Sequence, residues 1–193
     1  MLEFIQSAIY KLHKVIFVLL YKSSFKSFGG RSTLQFPFKV NGAKHISVGN
    51  NVHIEESAWL LAYKNAEGVP RLSVGDNTYI GRMSHIVSVR NIEIGEHVLI
   101  ADKVYVSDNL HAFSDIKRPI KYQEIRFKKE VFIGDNSWLG ENVCVIGASV
   151  GKHCVIGANS VVNKDIPDYS VAVGAPAKVI KQYNHTTKVW EAV

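Results

Sequence analysis

Most of this sequence repeats with a period of six residues. In each repeat an aliphatic residue precedes a small or polar one, as in the segments ISVGNN, LSVGDN, IEIGEH and VFIGDN. Self-similarity of this kind is typical of a solenoid, in which every repeat supplies one short strand and one corner. The aliphatic residues form anchors that group as five coils of three: Val48, Ile54, Leu60; Val74, Ile80, Ile86; Ile94, Ile100, Val106; Ile133, Leu139, Val145; and Val150, Ile156, Val162.

The repeat predicts the shape of a coil. Side chains alternate along an extended segment, so one aliphatic residue per repeat points inward while its neighbours point outward. Gly, Asn and Asp recur where the chain must turn, because they tolerate positive φ or bond their own backbone. An antiparallel sandwich is a poorer fit, since its strands recur at roughly 8–12 residues. We predict an all-β fold, a parallel β-helix of about five triangular coils.

Interruptions of the repeat indicate where loops leave the solenoid. Extra residues fall near 63–70, near 90–91 and, as the longest insertion, at 108–130, and one residue is missing between Val145 and Val150. Insertions in solenoids lie at corners and commonly build the binding face. We therefore divide the chain into a helical leader (1–28), a β-helix domain (29–180) and a C-terminal tail (181–193).

The leader has the spacing of an amphipathic helix. Its stripe consists of Leu2, Ile5, Ile9, Leu12, Ile16 and Leu19. The continuous apolar run from Val15 to Tyr21 is shorter than the ~20 residues that span a bilayer. We expect the helix to cap the open end of the solenoid; the alternative is a basic helix that lies on the inner membrane surface.

Composition narrows the functional classes. The net charge of +6 comes without an arginine-rich arm or an aromatic stacking platform, which argues against nucleic acid and favours a small phosphate-bearing ligand. Cys144 and Cys154 have no metal-ligand spacing and are interpreted as reduced residues of a cytoplasmic protein. No metal site is expected.

His111 is the first candidate for chemistry. It stands at a corner where the longest insertion begins, close in sequence to Asp108, Phe113 and Asp115. Histidine has an unperturbed pKa near 6.5 and can both accept and return a proton at neutral pH. Either carboxylate could orient the imidazole, and either could serve only to make a turn. His85 is a second candidate, with a structural corner histidine as the alternative.

Two long segments resemble a known family. They are IGRMSHIVSVRNIEIGEHVLIADKVYVSDNLHAFSDIKRPIKYQ and VFIGDNSWLGENVCVIGASVGKHCVIGANSVVNKDIPDYSVAVGAPAKVIK. They are similar to the left-handed β-helix acyltransferases, and most similar to the sugar and polysaccharide O-acetyltransferases of capsule, colanic acid and lipopolysaccharide assembly. The left hand of the helix comes from this resemblance alone.

The resemblance assigns roles by position. It implies that His111 is the catalytic base and that Trp138 walls the acyl pocket. Ser84 and His85, which follow a corner of the repeat, are further candidates for substrate binding together with Trp138. Asn109 replaces another histidine of the family pattern. The donor-binding positions implied for coenzyme A are Glu141, Ala158, Asn163, Lys164, Lys178 and Lys181.

These assignments predict an acetyl-CoA-dependent O-acetyltransferase that acts on a sugar or glycan hydroxyl. The acetyl group would pass directly to the acceptor hydroxyl, with His111 as the general base and without an acyl-enzyme, because no nucleophile elbow is present. The alternatives are an N-acetyltransferase of an amino sugar nucleotide and a non-enzymatic scaffold. A zinc enzyme on the same fold would require two histidines close together in sequence. The next histidine after His111 is His153, so this pair is absent from the sequence. The resemblance also implies a homotrimer. We expect the protein in the cytoplasm, and peripheral membrane contact through the leader is left open as an alternative.

Overall fold

The computed structural model describes residues 1–66 and 68–193, with all their side chains except that of Val18. One α-helix, α1 (Leu2–Leu20), precedes the strands, and 3-10 turns occupy Lys22–Ser24, Ala43–His45 and Ile120–Tyr122. The strands are β1 (Ser27–Phe28), β2 (Thr33–Leu34), β3 (Lys39–Asn41), β4 (Ile46–Val48), β5 (His53–Ile54), β6 (Trp59–Ala62), β7 (Arg71–Val74), β8 (Tyr79–Ile80), β9 (His85–Ser88), β10 (Asn91–Ile94), β11 (Leu99–Ile100), β12 (Tyr105–Ser107), β13 (Asn109–His111), β14 (Ile125–Phe127), β15 (Val131–Ile133), β16 (Trp138–Leu139), β17 (Cys144–Ile146), β18 (Val155–Ile156), β19 (Val161–Val162), β20 (Ser170–Val173), β21 (Lys178–Asn184) and β22 (Val189–Ala192).

The strands build three parallel faces. The first face orders β1, β4, β7, β10 and β15; the second orders β2, β5, β8, β11, β16, β18 and β20; the third orders β3, β6, β9, β12, β17 and β19. Successive strands of the chain fall on successive faces, so each coil passes once through all three. This is the triangular parallel β-helix that the six-residue repeat predicts.

The predicted anchors form the core. On the first face Val48 pairs with Val74, Val74 with Ile94 and Ile94 with Ile133, which in turn bridges to Val150. The other two faces stack their anchors in the same way. All fifteen anchors are at most 3% exposed. Stacked aliphatic columns therefore fill the tube, which is how a solenoid with no second layer obtains a core.

The solenoid also extends beyond the five predicted coils. Phe28, Leu34 and Val40 pair with Val48, Ile54 and Leu60, which adds a coil that begins inside the predicted leader. At the other end a partial coil passes through Ile166 and β20. The predicted tail continues the second face, because β21 pairs antiparallel with β20 and β22 pairs with β21.

Corners use asparagine and close glycines. Asn51, Asn77, Asn136 and Asn159 all have φ between 54° and 60°, a region that asparagine tolerates better than most residues. At Gly49 an added Cβ would lie 2.3 Å from the Asp76 carboxylate of the next coil. Backbone of neighbouring coils approaches closely there, which explains why the repeat keeps a glycine phase.

The leader helix does not use its predicted apolar stripe against the solenoid. The contact side is formed by Tyr10, His13 and Phe17. The Phe17 ring lies 5.1 Å from that of Phe28, and the His13 ring lies 3.9 Å from that of Phe36. The stripe from Leu2 to Leu19 remains 41–74% exposed. The helix therefore touches the first coil, as the cap interpretation expects, but with a different side.

Within the described residues, no helix combines the length and apolarity that crossing a membrane would require.

Candidate active site

An antiparallel arm projects from one corner of the solenoid. It leaves after β12 on the third face and returns before β15 on the first face. Its base is the pairing of β13 with β14, in which His111 stands opposite Ile125. The longest insertion of the sequence is thus a hairpin with His111 at the end of its first strand.

Asp108 anchors the root of this arm. Its carboxylate is fully buried and accepts hydrogen bonds from the backbone N–H groups of Val89, Arg90 and Asn91 at 2.8–2.9 Å. The Ser88 hydroxyl and the Asn109 amide also donate to it. The extra residues near 90–91 therefore turn their N–H groups toward a carboxylate of the next coil. Of the two roles left open for Asp108, orienting His111 is therefore corrected in favour of turn chemistry. Four of the five donors lie in the preceding coil, at residues 88–91, and the fifth is Asn109, so the carboxylate joins that coil to the root of the arm.

His111 lies beside a small cavity between two insertions. The cavity measures about 320 Å³, and His111 is an exposed part of its wall. The Asn65 side-chain amide donates to the Ile125 carbonyl at 3.0 Å, which ties the insertion after β6 to the arm. The lining residues are Tyr63, Asn65, Ala66, His111, Lys121, Gln123, Glu124 and Ile125. Two segments that lie far apart in sequence thus share one site.

The carboxylate that shares this cavity is Glu124. Strand pairing carries it across from His111, and the Ala112 N–H donates to its carbonyl at 2.8 Å. Asp115 is instead exposed at the arm tip, where its carboxylate accepts the Lys117 N–H at 2.9 Å in a local turn. Sequence proximity left Asp108 and Asp115 open as partners of His111, whereas the hairpin, whose pairing the sequence analysis did not predict, places Glu124 in the wall of the same cavity.

Ser84 and His85 belong to the third face rather than to the arm. Ser84 is fully buried, and its hydroxyl donates to the Ala101 carbonyl of the next coil at 3.3 Å. The predicted substrate contact of Ser84 is therefore replaced by a structural role at the corner. His85 is half-buried and stacks on Trp59, with ring centroids 4.1 Å apart and planes 7° apart. Burial lowers the pKa of His85 from its ordinary value of 6.5.

Trp138 lies on the second face. It is 48% exposed and stands in register between Leu99 and Val155. His111 projects from the corner between the third and first faces, so a single chain does not bring the two side chains into one cavity.

The predicted donor-binding residues gather toward the C-terminal coils. Glu141 and Ala158 stack at one corner, where the Asn159 N–H donates to the Glu141 carbonyl at 2.8 Å. The Glu141 carboxylate accepts a hydrogen bond from Lys103 at 2.9 Å, a contact that sequence reasoning missed. The Lys103 ammonium compensates the negative charge that Glu141 brings to this corner.

The lysines occupy the next corner and the terminal hairpin. Asn163 and Lys164 are exposed just after β19. The Ala177 N–H donates to the Val161 carbonyl, which brings Lys178 close to that corner. Lys178 and Lys181 are exposed on β21, and neither forms a carboxylate ion pair among the residues that the structure describes.

One ion pair connects the arm to this region. Lys129, at the return of the arm, pairs with Asp165 next to Lys164. The Lys129 ammonium and the Ser149 N–H lower the pKa of Asp165 from its usual value.

Over residues 1–66 and 68–193, no group of three or more His, Cys, Asp or Glu residues could hold a metal ion.

Comparison with known proteins agrees with this architecture. Residues 130–164 match the family model described as "Hexapeptide repeat of succinyl-transferase". A 62-residue stretch is 56% identical to a putative lipopolysaccharide biosynthesis O-acetyl transferase of Escherichia coli K12, and covers 32% of each chain. The chain thus spans about a third of the length of this curated relative.

Two solved structures share the fold. One is a hexapeptide-repeat acetyltransferase from Vibrio cholerae in complex with acetyl coenzyme A, at 27% identity and a TM-score of 0.62, over 86% of this chain and 76% of that one. The other is a mutant of AntD, an N-acyltransferase from Bacillus cereus in complex with dTDP and coenzyme A, with a TM-score of 0.72 over 88% of this chain and 90% of that one. At 21% identity the second shows the fold alone.

Together, the repeat model, the relatives and the three parallel faces show that the chain is similar to hexapeptide-repeat acetyltransferases, and they are consistent with a left-handed β-helix.

Proposed function

We propose that this protein is an acetyl-CoA-dependent O-acetyltransferase whose acceptor is a hydroxyl of a sugar or of a polysaccharide precursor. The observation that carries the proposal is the position of His111 beside the cavity shared by the arm and the insertion after β6. The O-acetyl transferase relative, at 56% identity over its aligned stretch, supports a hydroxyl acceptor.

In the proposed reaction His111 acts as the general base. A sugar hydroxyl attacks the thioester carbonyl while the imidazole takes its proton, because the alcohol is too weak a nucleophile at neutral pH. The carbon–sulfur bond then breaks, and the imidazolium returns the proton to the departing thiolate. A base of this kind typically contributes 10²–10⁴-fold to the rate. Glu124 lines the same cavity, and we propose it as the carboxylate that orients the ring.

The exposed lysines suit the acetyl donor. Coenzyme A carries several phosphates, and Lys164, Lys178 and Lys181 offer ammonium groups at the C-terminal end of the solenoid. Glu141, Ala158 and Asn163 lie at the adjoining corners, where we propose that they contact the pantetheine arm. Raised salt should weaken donor binding if these point charges hold the phosphates.

We also propose a homotrimer in the cytoplasm. The cavity beside His111 is small and borders solvent on a single chain, whereas ligand pockets usually bury most of their ligand. The tip of the arm exposes apolar side chains that a neighbouring prism would cover: Phe113, Ile116, Ile120 and Tyr122. In such an assembly Trp138 and His85, on the outer faces, would meet the His111 of a neighbour and line the substrate site.

A matched pair of histidine variants tests the proposal. Thiol release from acetyl-CoA is measured across sugars, nucleotide sugars and lipid-linked oligosaccharides with the wild type, His111→Asn and His97→Asn. His97 is an exposed corner histidine at φ 55°, where asparagine is well tolerated. We expect His111→Asn to lose about 10²–10⁴-fold in rate while binding acetyl-CoA normally, and His97→Asn to remain active. Near-wild-type turnover by His111→Asn would overturn the proposal.

The second candidate is N-acetylation of an amino sugar nucleotide. Its support is the shared fold with the Bacillus cereus N-acyltransferase. Paired acceptors that differ only in an amino or a hydroxyl group at one carbon distinguish the two, because only the product of N-transfer resists mild alkali. A native molar mass of one chain, with full activity, would contradict the trimer.

A further inference from the structure

The leader helix carries a broad apolar surface that the rest of the chain leaves uncovered. We define the outer face of α1 as the side chains that lie on one side of the helix and are each 41–80% exposed. They are Leu2, Phe4, Ile5, Ile9, Leu12, Val15, Ile16, Leu19 and Leu20. At 100° per residue these positions fill a continuous sector of about 160°. An apolar sector this wide on a helix of a soluble domain is normally buried.

The solenoid is in contact with a different side of the helix. Tyr10, His13 and Phe17 follow a spacing of three and four residues and meet the rings of Phe36 and Phe28. Phe17 is the buried side chain on this side. Cavities of about 410 Å³ and 610 Å³ flank the contact, so the helix rests on the first coil without close packing.

The charge of this end of the molecule is strongly basic. From Met1 to Ile54 the sequence contains seven Lys or Arg residues and one acid, Glu3, an excess equal to the net charge of the whole chain. Lys11 lies just beyond the edge of the outer face, and Lys14 lies about 80° beyond that edge, on the polar side that lines the cavity against the first coil. Long lysine side chains can bury their stems while the ammonium reaches toward headgroups.

These features select one kind of partner. A seam between two helices is a narrow stripe of two positions in seven, whereas the outer face is much wider. The positive charge of this end of the molecule would repel a second copy of the same face, but it attracts an anionic lipid surface. A wide apolar face opposite a polar side that carries lysines is the pattern of a helix that lies in the plane of a bilayer interface.

We propose that the outer face of α1 docks the protein on an anionic phospholipid surface. The helix, about 28 Å long at 1.5 Å per residue, lies flat in the headgroup region with Leu12 and Leu19 among the acyl chains. The first coil then faces the membrane, and the terminal hairpin points away from it. This inference is independent of the proposed acetyl transfer.

The test is vesicle flotation of the full-length protein. Vesicles contain phosphatidylcholine alone or phosphatidylcholine with phosphatidylglycerol. The variant Leu12→Glu/Leu19→Glu places charge on the outer face. The control Gln6→Glu/Ser7→Glu adds the same charge on the side of the helix that lines the cavity against the first coil. Circular dichroism verifies that both variants fold.

We expect the wild type to float with the anionic vesicles and raised salt to reduce the bound fraction. The outer-face variant should lose at least about tenfold in affinity, since two leucines that insert among the acyl chains in the bound state are replaced by carboxylates. The control should stay within about threefold of the wild type.

Several results would overturn the proposal. One is a wild type that does not float with either vesicle, and another is an equal loss in both variants. A third is an outer-face variant whose native molar mass falls below that of the wild type, because the face would then be a contact between subunits. Acetyl transfer is not measured here, so the outcome is separate from that of His111→Asn.

Discussion

Replacement of Asp108 by alanine tests whether this residue supports the arm or the chemistry. The carboxylate accepts five hydrogen bonds, three of them from the successive N–H groups of Val89, Arg90 and Asn91. Its removal deprives those three N–H groups of this acceptor at the corner, whereas the Ser88 hydroxyl keeps the Arg71 carbonyl and the Asn109 amide keeps the Val87 carbonyl. Each unsatisfied buried donor costs about 1–3 kcal/mol. Because water and local relaxation recover part of this, we expect a net destabilisation of about 3–5 kcal/mol.

The assay combines denaturant unfolding with amide hydrogen exchange. A solenoid can open locally, so the exchange rates at residues 89–91 report on the corner directly, while the unfolding midpoint reports on the whole chain. Asp115→Ala is the matched control, because this exposed carboxylate accepts one local N–H, that of Lys117. It should change stability by no more than about 0.5 kcal/mol.

A wild-type unfolding midpoint and wild-type protection of the three amides in Asp108→Ala would show that Asp108 does not hold this corner. A stable Asp108→Ala protein with a shifted pH–rate profile would restore the view that Asp108 orients His111.

Three further predictions follow from the core, an ion pair and a stacked histidine. Ile100→Ala removes a fully buried anchor between two coils and should cost about 2–5 kcal/mol in denaturant unfolding; a cost below 1 kcal/mol would contradict the packed core. The pKa of Asp165 is held down by the ammonium of Lys129, so its stabilising effect is present above the ordinary carboxyl pKa and is lost as pH falls below it. Lys129→Gln should raise that pKa in an NMR titration, and an unchanged value would exclude the pairing. Burial lowers the pKa of His85, so the unfolded chain takes up the proton first and stability should fall as pH drops below about 6.5. Trp59→Ala should return the NMR-titrated pKa of His85 toward the ordinary value; a pKa that stays low would show that the stacked ring is not the source of the burial.

The regular part of the fold could be predicted because one physical rule repeats. An inward aliphatic residue every six positions must stack on its equivalent in the next coil, and all fifteen anchors do so. The first coil was missed although Phe28, Leu34 and Val40 keep the same spacing. Its link to Val48 is two residues longer than a repeat, so the periodic signal fades there.

The arm was predicted as an insertion but its internal structure was not. Pairing of β13 with β14 depends on hydrogen bonds between segments of unrelated sequence, which carry no period. The roles of nearby carboxylates follow from that pairing. Asp108 accepts hydrogen bonds from the N–H groups of the preceding coil, and Asp115 lies at the tip of the arm. Glu124, just before the return strand, lines the same cavity as His111.

Amphipathicity likewise predicts that a helix has two sides, but not which side meets its own domain. In α1 the spacing of Leu2 to Leu19 identified the apolar stripe correctly. Aromatic contacts of His13 and Phe17 with the first coil decided the orientation. Such contacts depend on where Phe28 and Phe36 stand in the folded solenoid, and a helical wheel contains no information about them.

The hydrogen-bonded root of the arm lets the arm change in sequence while the coils of the solenoid are retained. Because Asp108 satisfies the corner N–H groups by itself, the residues from Leu110 to Arg126 add no anchor to the aliphatic columns. A hairpin tip of another length or composition can be grafted between His111 and Glu124 while the tube beneath it stays folded. Under the proposed function, new acceptor preferences can thus be sampled by exchanging the tip of one loop, with His111 and the scaffold retained.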